Sequence, residues 1–108
     1  SDEWGHLNQY SAYLDAITEQ DALIRQTVER LEALPEYRGR TVYVLTTDHG
    51  RGDGADWKNH AWTPPSEEIW SVVVLPEQMA GREKAVAQLR AMRCSHATLS
   101  RWMEGVLN

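Results

Sequence analysis

Apolar and polar residues alternate along the chain in two distinct periods. Tyr10, Leu14, Ile17, Asp21, Ile24, Val28 and Leu31 follow one another in steps of four and three, which places them on one face of a helix. Glu19, Gln20, Arg25, Gln26, Glu29, Arg30 and Glu32 occupy the solvated side. Asn8 or Ser11 is placed to cap its start, and Pro35 marks its end. Asp21 is the one acid in the stripe and reads as a packing-edge residue or hydrogen-bond acceptor, not a catalytic one. The period then changes to two. In "TVYVLTT", Thr41 to Thr47, both alternating sets are largely apolar, which predicts a strand covered on both faces. "IWSVVVLP", Ile69 to Pro76, predicts a second buried strand. Ala85, Val86, Leu89 and Met92 recur at helical spacing, and Ser95 is placed to cap a last helix carrying Leu99, Trp102, Met103 and Val106. The expected class is α/β: part of a mostly parallel sheet flanked by helices. The two strands should be neighbours or near-neighbours in one sheet, with the first long helix on one face of it.

The two strands are separated by a long segment, Asp48 to Glu68, rich in Gly, Asp and Trp. Connections of that length within a domain are often functional. Trp57 and Trp62 lie inside it and either wall a pocket or cover a sheet end. Apolar residues make up 42% of the 108 residues and charged residues 25%, enough for one modest core. The formal charge of −5 disfavours a nucleic-acid surface, because phosphate backbones select clustered Lys and Arg. Cys94 is the only cysteine, so there is no disulfide framework and no thiolate metal cluster. No apolar run is long enough to span a bilayer, and the first residues lack the basic and apolar regions of a signal peptide. The compartment is not legible.

Chemistry gathers around three of the four histidines. His49 follows Asp48 at the end of the first strand, where α/β folds usually place ligands. His60 lies in the same long segment. His6 stands four residues after Asp2 in "DEWGH", a spacing that aims two ligands the same way on helical backbone. Imidazole with carboxylate suits zinc, and also manganese or iron. Calcium and magnesium select more oxygen donors and rank lower. His96 lies near a helix start with no acid beside it and is expected to stay outside any such site.

"DEWGH", "TVYVLTTDHGRG" and "NHAWTPPSEEIWSVVVLP" together resemble the C-terminal portion of the alkaline phosphatase superfamily, which includes phosphatases, arylsulfatases, nucleotide phosphodiesterases and metal-dependent phosphosugar mutases. The resemblance covers residues 2–76, with the three motifs in the family's order; the final residues match loosely. It implies two metal ions about 4 Å apart, clamping both sides of an in-line displacement. By resemblance, Asp2, His6 and His60 hold the first ion, and Asp48 and His49 contribute to the second. Gly50 lets the chain turn tightly behind them, while "GRGDG" has no assigned role beyond shaping that turn. The family also uses an earlier Asp and an earlier Ser, Thr or modified Cys nucleophile. Ser11, Thr18, Thr46, Thr47 and Cys94 do not match the nucleophile's place. Residues 1–108 are therefore expected to be the C-terminal portion of a longer alkaline-phosphatase-like domain whose N-terminal half is absent.

The function implied by the resemblance is metal-dependent hydrolysis of small phosphate or sulfate esters through a covalent intermediate. Transfer of the group within a phosphosugar, by a mutase of the same superfamily, is one alternative. A non-catalytic metal-binding or interaction module is another. Taken alone, the chain should be inactive, and it should associate with the missing half or with itself, because a partial sheet leaves unpaired edges.

Overall fold

The computed structural model describes all residues from Ser1 to Asn108. The chain divides into two units: Ser1–Arg38 with Thr47–Ile69, and Gly39–Thr46 with Trp70–Asn108.

The first unit begins with a short helix, α1 (Asp2–His6), followed after a tight turn by the long helix α2 (Tyr10–Ala33). Asn8 makes the turn in the left-handed region, at φ 58°, a conformation that Asn tolerates better than most residues. Its backbone N–H closes α1 by donating to the Gly5 carbonyl at 3.0 Å. Its side chain does not cap α2. The Asn8 amide oxygen accepts instead from the Trp57 indole N–H at 2.9 Å, and the N-cap position of α2 falls to Gln9. α2 stops where the sequence indicates: Leu34 is already extended, as a residue before proline prefers to be. The α2 stripe does not form a buried core. Tyr10, Leu14, Ile17 and Ile24 are all exposed, and no α2 residue is buried.

The segment 48–68 belongs to this same unit and is not structureless. It holds two 3₁₀ turns, Gly54–Asp56 and Pro64–Glu67, and folds back on itself through Gly50 N–H to the Ser66 carbonyl and Gly52 N–H to the Asn59 carbonyl, both 2.8 Å. Trp57 packs edge-on against Tyr10 and Tyr13, with ring centroids 5.4 and 5.8 Å apart. It is therefore a packing residue. Trp62 is fully exposed, at φ 63°.

The second unit holds β1 (Tyr43–Thr46), β2 (Ser71–Val74), α3 (Arg82–Ala91) and α4 (His96–Leu107). The strands are direct neighbours, but they pair antiparallel, with Tyr43 opposite Val74 and Thr46 opposite Ser71. A parallel pair needs a crossover, usually helical, to return the chain to the same end. The connection here contains only 3₁₀ turns. The expectation of strands buried on both faces also differs from what is observed. Val72 and Val74 are about half exposed, while Val42, Val44 and Val73 pack against Leu75, Ala85 and Trp102. One layer of helix covers one face, as in a half-solvated antiparallel sheet. The helices that cover it are α3 and α4; α2 belongs to the other unit. Ser95 caps α4 with a full capping box: its hydroxyl accepts from the Thr98 backbone N–H at 3.1 Å, and its own N–H donates to the Thr98 hydroxyl at 2.8 Å.

Candidate metal centre

Five side chains converge within the first unit, and each is brought there for a local reason. Asp2 and His6 lie one helical turn apart on α1, so the spacing of four places His6 Nε2 3.4 Å from Asp2 Oδ2. Asp48 and His49 come one residue after the end of β1, past Thr47. His60 follows the first 3₁₀ turn and stacks on His49, with ring centroids 3.9 Å apart and planes 18° from parallel. His6 meets the same His60 ring edge-on at 4.8 Å.

Glycine makes the convergence possible. A Cβ at Gly50 would collide with the carbonyl oxygens of Pro65 and Glu68. Gly50 is thus required for close backbone approach, and it brings the Asp48–His49 segment against the chain that carries His60.

The donor atoms divide about the Asp2 carboxylate. Oδ2 faces His6 Nε2 at 3.4 Å and His60 Nε2 at 4.0 Å. Two ligand atoms of a tetrahedral zinc site, each about 2.0–2.1 Å from the ion, lie roughly 3.3 Å apart, so the Asp2–His6 separation is that of a ligand edge and the His60 contact is somewhat wider. His49 Nε2 faces Asp48 Oδ2 at 3.5 Å and Asp2 Oδ1 at 4.0 Å. Donor atoms of Asp2, His49 and His60 all lie within 4.8 Å of one another. This trio draws on both ligand sets expected from the sequence, Asp2 and His60 from the first and His49 from the second, while His6 and Asp48 flank it, each beside one of its members.

The histidine chemistry suits a cation. His49 Nδ1 lies 2.7 Å from the Gly50 carbonyl, which accepts only, so Nδ1 carries the proton. In the neutral ring that leaves the Nε2 lone pair facing Asp48 Oδ2 at 3.5 Å, two donors that a cation would bridge. An imidazole whose far nitrogen donates to a backbone carbonyl is the usual form of a metal-ligating histidine. The residues therefore fit a divalent ion. Asp48 Oδ1 also accepts from the His49 backbone N–H at 3.0 Å, which leaves Oδ2 on the side of the imidazole. A cleft of about 150 Å³ lined by Ser1, Asp2, Tyr13, Thr47, Asp48, His49, Gly50 and Arg51 opens here. A larger cavity, about 330 Å³, lies in the second unit, but it is lined mainly by aliphatic residues with Arg82 and Arg90 and holds neither imidazole nor carboxylate. His96 is the first residue of α4, in the second unit.

Arg51 is the site residue that the sequence reading left without a role. Its Nη2 donates to the Asp2 carboxylate through Oδ1, and also to the Asp2 carbonyl. Its position within "DHGRG", two residues after His49, is the only signal of this in the sequence.

No known protein family, curated protein or solved structure matches the chain.

Proposed function

We propose that residues 1–108 carry most of the metal centre of a metal-dependent hydrolase of small phosphate or sulfate esters, of alkaline-phosphatase-like fold. The observation that supports this most directly is the division of donors around Asp2: Oδ2 with His6 and His60 on one side, Asp48 with His49 on the other. On this reading, Asp2, His6 and His60 hold one divalent ion, zinc before manganese or iron. Asp48 and His49 supply two ligands to a second ion, which needs further donors. Two such ions supply the positive charge that the reacting and leaving oxygens of an ester require in the transition state.

The chain's own residues do the rest of the local work. The two carboxylates and three imidazoles fix the position of the charge, and Gly50 keeps the two histidine-bearing segments in contact. Without bound cations, Asp2 and Asp48 would repel an anionic ester; with them, the local field is reversed. The nucleophile that receives the phosphoryl or sulfuryl group lies, on this reading, outside these residues.

The test is a turnover screen of the purified protein comprising this chain, with zinc or manganese supplied, against phosphate monoesters, phosphodiesters and aryl sulfates. Release of phosphate or sulfate, abolished by His60→Ala, is the expected result. Absence of turnover on all three classes would overturn the hydrolase reading.

A further inference from the structure

We propose that Arg51 is the positioning residue of this centre: it holds Asp2 Oδ1 and so presents Asp2 to a metal through Oδ2 alone. The inference rests on the metal-centre reading above and adds the residue that sets the denticity of its central ligand.

Arg51 is held on every side. Nη2 donates to Asp2 Oδ1 and, at 3.3 Å, to the Asp2 carbonyl; Nη1 donates to the Trp57 carbonyl at 3.3 Å. Its Cζ lies 5.6 Å from the centre of the Tyr13 ring, within cation–π range. Its side chain is only 13% exposed, while that of Asp2 is 49% exposed. On the remaining side lies Gly5, where a Cβ would come within 2.5 Å of Cζ and of Nη1. The motif "DEWGH" thus has a glycine where the guanidinium presses on α1. A planar fork fixed in this way is a pre-organised partner for a carboxylate, unlike a mobile surface arginine.

The consequence for Asp2 follows from its two oxygens. A free carboxylate can bind a metal through one oxygen or both. With Oδ1 engaged by Arg51, only Oδ2 faces His6 and His60. Asp2 then supplies one ligand atom, which keeps the count at that site to three protein donors and leaves a position open.

Charge alone makes the opposite prediction. Arg51 is a cation beside a cation site, so on Coulombic grounds its removal should tighten metal binding. If positioning dominates, removal should weaken it by about 10- to 100-fold, the usual effect of losing a partner that orients a ligand. The sign separates the two.

The test is titration of the 108-residue chain with Zn²⁺ alone, together with visible spectra of the Co²⁺-loaded protein, for wild type, Arg51→Ala and Gly5→Ala. Gly5→Ala displaces the guanidinium while leaving Arg51 in place, and it carries the test if Arg51→Ala does not fold. The expected result is weaker binding in the variants and a fall in cobalt absorption intensity, as a freed Asp2 raises the coordination number. Equal or tighter binding in both variants overturns the proposal. So does weaker binding with an unchanged cobalt spectrum, which is what a purely structural role would give. Failure of the wild type to bind Zn²⁺ or Co²⁺ overturns the metal-centre reading itself, and this assignment with it.

Discussion

The rings of His49 and His60 lie 3.9 Å apart and nearly parallel. The pair joins two points of the chain that the period of neither strand nor helix connects. His60→Ala removes both a donor and the surface against which His49 is set. Zinc affinity is expected to fall by more than about 100-fold, beyond the usual cost of losing an outer partner. Calorimetric titration of wild type and variant checks this; equal affinity would exclude His60 from the site.

Asp48→Ala should have a smaller effect on the first ion. Asp48 Oδ2 faces His49 alone among the histidines, whereas Asp2 faces all three. The first zinc equivalent is expected to survive Asp48→Ala and to be lost in Asp2→Ala. Metal analysis after dialysis measures both.

Asn8→Ala is expected to destabilise the first unit by about 1–2 kcal/mol. Alanine pays for the left-handed φ, and the hydrogen bond from the Trp57 indole is lost. Urea unfolding followed by tryptophan fluorescence gives the difference.

Trp102→Ala is expected to cost about 3–5 kcal/mol in the second unit. Trp102 is buried, belongs to the small core with Leu75 and Ala85, and donates its indole N–H to the Ala85 carbonyl at 3.3 Å. With so few buried residues, there is little remaining core to compensate. Loss of the cooperative thermal transition in circular dichroism would show it.

The 108-residue chain by itself is expected to associate. Tyr10, Leu14, Ile17 and Ile24 are exposed along α2, and Val72 and Val74 are half exposed on the two-stranded sheet. Such surfaces mark interaction sites or aggregation hazards. Light scattering after size exclusion should give a mass above 12.3 kDa; a stable monomer would contradict the expectation.

The local elements were determined by the sequence, because their causes are local. Steps of three and four set α2, Pro35 ended it, alternation set β1 and β2, and Ser95 capped α4. The spacing of Asp2 and His6 carried their pairing too, since one helical turn is a local distance. What depends on long-range contact was decided only by the tertiary structure. Antiparallel pairing followed from the path of the chain between β1 and β2, which periodicity does not encode. Asn8 read as a cap and instead receives the indole N–H of a residue far along the chain. Arg51 read as a turn residue and instead holds Asp2, because a long, charged side chain takes its role from whichever partner the fold brings within reach.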